Sequence, residues 1–126
     1  MMVLIDTNII IDIWKNQDSP YKTVFEHETV CICGVVRSEL LHGAYSEKNI
    51  ELISNKLDNL ETVSIQDDDW DEFGRMLYKL RINGVTLPYA DALIAYIAMK
   101  NKVCILTKDK HFKLVEEVFP ELMLYS

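Results

Sequence analysis

The chain has 126 residues, 49% of them hydrophobic and 26% charged, with 20 acidic against 13 basic side chains and a formal net charge of −7. That length and apolar content suit one globular domain with a real core, so a single domain over residues 1–126 is expected. The acidic balance excludes nucleic-acid binding through a broad basic face, because phosphate contacts come from clustered Lys and Arg; any such function must be locally organised.

The opening Met1-Met2-Val3-Leu4-Ile5 is too short for a signal-peptide core and has no basic flank, and Asp6 and Asp12 follow at once. Met2–Ile5 instead reads as a fully buried strand ending at Asp6, and Ile9–Lys15 as a short, largely buried helix. Ser19-Pro20 is an N-cap with proline at the first helical position, opening a short helix to about Glu26. Thr29–Cys33 reads as a second buried strand.

Val36, Leu40, Leu41 and Ala44 recur at helical spacing within 35–45, and Ile50, Ile53 and Leu57 do so in a more polar helix over 48–57. Leu60–Ile65 is a candidate third strand. Asp69-Trp70-Asp71-Glu72 has the form of a capping box, and Phe73, Met76, Leu77 and Leu80 continue a helix that Gly84 can close. Pro88 opens the next helix, whose residues Ala92, Leu93, Ile94, Ile97 and Ala98 cover most of its surface and predict deep burial. Val103–Thr107 is the fourth strand, and a helix at His111–Val118 and a strand at Leu122–Tyr125 complete the chain. Alternation of this kind predicts an α/β fold, a parallel sheet of about five strands with helices on both faces.

The longest apolar run, Ala92–Met99, is far below the roughly 18 residues that span a bilayer. Cys31, Cys33 and Cys104 lie in strand-like runs, which suits buried free thiols in a reducing compartment; with His27, His42 and His111 scattered, the spacing does not form a zinc motif. A cytoplasmic location is the expectation. Eight basic residues fall in the C-terminal half, Arg75, Lys79, Arg81, Lys100, Lys102, Lys108, Lys110 and Lys113.

Four carboxylates stand apart. In open parallel sheets ligands bind beyond the carboxyl ends of the strands, and Asp6 and Asp109 each follow an apolar strand at that edge. Either could equally cap the helix that follows it. Asp91 falls in the first turn of the helix opened at Pro88, where a largely apolar surround should enclose it in part. Glu39 lies on or beside the packed side of its helix, and read alone a solvated glutamate is the simpler reading. If the four converge, their repulsion raises their pKa values unless cations compensate, and hard oxygen donors select Mg²⁺ or Mn²⁺. One or two such ions can activate water and neutralise charge on a phosphodiester.

Asp6-Thr7-Asn8, Glu39, Pro88-Tyr89-Ala90-Asp91-Ala92-Leu93-Ile94-Ala95 and Leu106-Thr107-Lys108-Asp109-Lys110-His111-Phe112 together resemble the PIN-domain ribonucleases, specifically VapC-type toxins of toxin–antitoxin pairs. The resemblance spans nearly the whole chain in order and spacing. It implies a three-layer sandwich with strand order 3-2-1-4-5, an acidic pocket for Mg²⁺ or Mn²⁺, and endonucleolytic hydrolysis of single-stranded or loop RNA. Asp6, Glu39, Asp91 and Asp109 occupy the family's acidic positions as catalytic and metal-binding residues. Thr7 and Thr107 match hydroxyls that orient those acids, and Asn8 a polar pocket residue, with turn or cap formation as the plainer role. The resemblance also implies an antitoxin partner lying over the early helices, and a homodimer.

Three other readings compete. A haloacid-dehalogenase-type phosphatase needs an acid two residues after the first aspartate, where this chain has Asn8. A receiver domain needs an acidic pair at the end of the first strand, where Ile5 and Thr7 flank Asp6. A catalytically inactive PIN scaffold that only binds RNA or protein is the alternative from another class; it would tolerate loss of its acids, and all four are present. Asp67, Asp68 and Asp69 read as helix capping and solvation. Arg37 and Lys108 neighbour two of the acids and could contact phosphate but stay outside the catalytic set. Trp14, beside Ile10, Ile11 and Ile13, reads as a core aromatic, with a partner interface as the alternative.

Overall fold

The computed structural model describes residues 1–126. In chain order the elements are β1 (Met2–Ile5), α1 (Thr7–Lys15), α2 (Val24–His27), β2 (Thr29–Cys33), α3 (Gly34–His42), α4 (Glu47–Leu57), β3 (Glu61–Val63), α5 (Trp70–Ile82), α6 (Tyr89–Asn101), β4 (Cys104–Leu106) and α7 (His111–Val118). Short 3₁₀ turns at Pro20–Thr23 and Asp67–Asp69 lead into α2 and α5. Val3, Leu4 and Ile5 are each 0% exposed. Because successive strand residues point to opposite faces, helices must cover both sides of this strand.

The strands form one parallel sheet in the order β3-β2-β1-β4, with Val3 level with Val30 on one side and Cys104 on the other. The chain therefore reverses its direction of travel across the sheet between β1 and β4, which opens a crevice beyond their carboxyl ends. The strand expected at Leu122–Tyr125 reduces to a single parallel bridge, Ile105 with Leu124. Ile105 donates its N–H to Met123 O at 2.9 Å and accepts from Tyr125 N–H at 2.9 Å. Leu122, the first residue of that expected strand, instead closes a turn, its N–H donating to Phe119 O at 3.0 Å.

Helix α6 is the central element: Ala92, Ile94, Ala95, Tyr96, Ile97 and Ala98 are all buried, on every side of the helix. It crosses the sheet from β3 to β4 and also packs on α3, α5 and α7. Tyr96 fixes α5 to it, donating its single hydroxyl proton to Glu72 Oε1 at 2.7 Å, with Asp69 O a second acceptor at 3.2 Å. That contact explains why the capping box lies one turn earlier than the sequence pattern places it. Glu72 is taken by Tyr96, and the reciprocal cap is Asp69 Oδ2 accepting from Gln66 N–H at 2.8 Å. Gly84, at φ +76°, closes α5 as Val85 N–H reaches back to Leu80 O. One core cluster of 29 buried residues runs through every element except β3, with Phe73, Phe112 and Leu4 among its largest members. Cys31, Cys33 and Cys104 belong to it as free thiols.

Candidate active site

Asp6 directly follows β1 and is only 5% exposed. Its N–H continues the ladder by donating to Leu106 O at 3.0 Å, so β4 fixes its backbone. Both carboxylate oxygens are held: Oδ1 accepts from Thr7 N–H at 2.8 Å, and Oδ2 from the Thr107 hydroxyl at 2.6 Å. Asp6 therefore caps α1, so the cap reading holds, and the same geometry leaves it available to a site at this edge. Asp109 behaves likewise. Its N–H donates to Thr107 Oγ1 at 2.9 Å, while its Oδ1 accepts from His111 N–H at 2.9 Å at the start of α7.

Asp91 enters from the first turn of α6, and no backbone N–H caps onto its carboxylate. Glu39 enters from α3, where it is exposed rather than on the packed side the helical spacing predicts. The short α3 ends at His42, and Glu39 leans over the edge of the crevice to accept the Thr7 hydroxyl at 2.8 Å. Asn8 Oδ1 accepts from Lys108 N–H at 3.4 Å, a long contact that ties α1 to the loop after β4.

The electrostatics show that the four acids share one field. Burial first, then contact with the Asp109 carboxylate, then repulsion from Asp6 and Glu39, push the Asp91 carboxyl up to about 6. Burial also raises Asp6, with Asp109 adding repulsion, against the lowering effect of the Thr107 and Thr7 hydrogen bonds. No Lys or Arg pairs with any of the four; their only ion-pair neighbour is His111, whose Nδ1 lies 3.0 Å from Asp109 and 3.9 Å from Asp91. The two basic residues nearest the acids in sequence are engaged elsewhere. Arg37 binds Asp58 and Ser54, and Lys108 binds Asp12 on α1. A carboxylate group left without a compensating cation, made of oxygen donors and rimmed by one imidazole, fits a hard divalent ion.

Sequence reasoning missed two members of this neighbourhood. His111 was set aside because the histidines are scattered; the available signal was Asp109-x-His111 at a helix start, which brings both side chains to one edge. Asp12 carries no motif, yet its pairing with Lys108 pins the loop that bears Thr107 and Asp109. Of the eight C-terminal basic residues, Arg75, Lys79, Lys100 and Lys102 line one groove with Met76, Met99 and Phe119, and none of the four acids lines it. Trp14 is 38% exposed and Phe25 44%, so Trp14 is not a core residue. Both border an apolar groove with Ile10, Ile13 and Leu60.

A family model for the PIN domain matches residues 3–118. The chain belongs to the PIN domain family. Among solved structures this PIN domain is similar to VapBC2 from Rickettsia felis bound to a DNA fragment from its promoter, at TM-score 0.77 and 25% identity over 99% of this chain and 98% of that one. It is also similar to DNA-bound VapBC from Salmonella typhimurium, at TM-score 0.83 and 22% identity over 99% and 97% of the two chains. VapBC-1 from nontypeable Haemophilus influenzae matches at TM-score 0.79 and 22% identity over 100% and 98%. The last two bear on the fold alone. No curated protein matches the chain significantly. The PIN and VapC-type resemblance read from the four sequence blocks is borne out, as is the α/β class with a parallel sheet between helices.

Proposed function

We propose that residues 1–126 form a single PIN-like domain acting as a Mg²⁺- or Mn²⁺-dependent endoribonuclease, the toxin of a type II toxin–antitoxin pair. One observation carries this reading: acids from four separate parts of the chain bear on one another at the switch point of the sheet with no Lys or Arg paired to them, and burial together with their repulsion pushes Asp91 up to about 6. Asp6, Glu39, Asp91 and Asp109 are the residues that would hold the metal. When bound, a divalent ion supplies a water nucleophile at neutral pH and neutralises charge on the scissile phosphodiester.

The chain's own residues set the geometry for that chemistry. Thr107 and the Thr7 N–H hold the two oxygens of Asp6 in one orientation, and each oxygen keeps a further lone pair for a ligand. The Thr7 hydroxyl holds Glu39 at the opposite rim, and Thr107 links Asp109 to Asp6. Asn8 and the Asp12–Lys108 pair fix the loop between β4 and α7. Such supporting contacts matter because misplaced ligands cost metal affinity and rate. The completeness of this arrangement favours an enzyme over a PIN scaffold that only binds.

RNA as substrate implies action in the cytoplasm, and the family resemblance implies a homodimer. For the antitoxin, the support is structural. The apolar groove bordered by Trp14 and Phe25 lies between α1, α2 and α4, over the early helices. The similar structure from R. felis, at 25% identity, is VapBC2. The reading is tested by incubating purified protein with total RNA and Mg²⁺ and mapping the new ends. Discrete cleavage that stops with EDTA supports it; undiminished cleavage in excess EDTA contradicts it.

A further inference from the structure

His111 is the one member of the site that is not an oxygen donor. Its Nδ1 lies 3.0 Å from Asp109 Oδ1 and 3.9 Å from Asp91 Oδ2, and one ligand atom from each of the three residues falls within a 4.8 Å span. Two donors on a single ion at 2.0–2.2 Å are separated by about 2.9–4.3 Å, so both spacings suit a shared ion. The position is fixed from the backbone. His111 opens α7, and its N–H donates to the same Asp109 Oδ1 that faces the imidazole, locking the two residues together. The ring makes no hydrogen bond elsewhere in the protein, and its side chain is 49% exposed, open to the crevice.

We propose that His111 is a nitrogen ligand in the Asp91–Asp109 half of the site and biases it toward Mn²⁺ over Mg²⁺. Mg²⁺ binds oxygen and keeps much of its water, whereas imidazole suits first-row transition ions, so a nitrogen donor helps Mn²⁺ and does little for Mg²⁺. Carboxylates alone would discriminate less between the two. This inference rests on the divalent-metal reading of the same site. The competing role is electrostatic: a charged His111 standing in for the missing cation, in which case its removal would strengthen the binding of both ions alike.

The test uses full-length wild type and His111→Ala, stripped of metal and titrated separately with Mn²⁺ and Mg²⁺ by thermal shift and calorimetry. Pulsed electron paramagnetic resonance of the Mn²⁺-bound wild type supplies a readout independent of the variant. Expected are a ¹⁴N coupling from a directly bound imidazole in the wild type, its loss in His111→Ala, and a Mn²⁺ affinity that falls on the order of tenfold while that for Mg²⁺ changes by less than about twofold. Mn²⁺ binding without ¹⁴N coupling, or affinities for both ions that change in parallel, would overturn the assignment while leaving the nuclease reading intact. Absence of any binding of either ion by the wild type would overturn both.

Discussion

The Thr107 hydroxyl donates to Asp6 Oδ2 at 2.6 Å while Thr107 Oγ1 accepts from Asp109 N–H at 2.9 Å. One side chain at the end of β4 thus sets the orientation of the first acid and the position of the last. The two acids are 103 positions apart in sequence, and their relative placement depends on the β1–β4 pairing and on this hydroxyl.

Thr107→Val should therefore cut metal-dependent cleavage by about tenfold or more, with a stability loss of about 2–3 kcal/mol, the usual worth of the two hydrogen bonds its hydroxyl makes. Thr107→Ser should restore most of the rate. Single-turnover cleavage beside denaturant melts checks this; a rate loss no larger than the stability change explains would assign Thr107 a merely structural role.

The raised Asp91 and Asp6 carboxyls give a pH dependence of defined sign. A carboxyl whose folded pKa lies above its unfolded value favours folding in its neutral form. Its contribution is complete below about pH 4, the unfolded value, and is lost as pH rises through about 6 for Asp91. In EDTA, Asp91→Asn should match the wild type in stability near pH 4 and exceed it above pH 6. The gap should be on the order of 1 kcal/mol at this water-accessible edge, where screening reduces the full effect. Paired urea melts between pH 4 and 8 measure it, and a gap that closes as pH rises would contradict a carboxyl raised by burial and by its acidic neighbours.

Much of this site was legible in the sequence because strand ends and helix starts are local signals. Asp6 follows Met2–Ile5 and Asp91 follows Pro88, and the structure places both where those boundaries put them. What was not legible depends on partners distant in sequence. Glu72 forms no capping box because Tyr96, on another helix, takes it, and the last strand shrinks because Leu122 closes a turn on Phe119. Glu39 looked packed by helical spacing, but only the neighbouring Thr7 shows that it turns to the crevice rim. His111 and Asp12 gain meaning solely from the fold that brings them to Asp109 and Lys108.

Helix α6 ends with Lys102 in the left-handed conformation, φ 56° and ψ 42°, where a Cβ is unfavourable. Lys102→Gly removes that strain of roughly 1–2 kcal/mol and adds a smaller cost in unfolded-chain entropy, so a net gain of about 0.5 kcal/mol is expected. Equilibrium denaturation of the metal-free protein checks it, with cleavage unchanged.

If the α1–α2–α4 groove receives an inhibitory partner, Trp14→Ala and Phe25→Ala should weaken that partner's binding by about tenfold or more and leave cleavage by the free enzyme as it was. Titration of cleavage with the product of a reading frame adjoining the gene gives the measurement. Inhibition that is unaltered in both variants would place the partner elsewhere.

The most direct test of the metal site compares melting curves of wild type and Asp91→Asn, in EDTA and in millimolar-range Mg²⁺. A ligand bound only by the folded state stabilises it by RT ln(1 + L/Kd) at free ligand concentration L, so the melting temperature rises with ligand concentration and with affinity. The four-acid account predicts a clear Mg²⁺-dependent rise for the wild type. For Asp91→Asn it predicts a metal-free protein at least as stable as the parent, a much smaller response to Mg²⁺, and no RNA cleavage. An Asp91→Asn protein that is less stable without metal, keeps the full Mg²⁺ response and still cleaves RNA would remove Asp91 from the site and contradict the account.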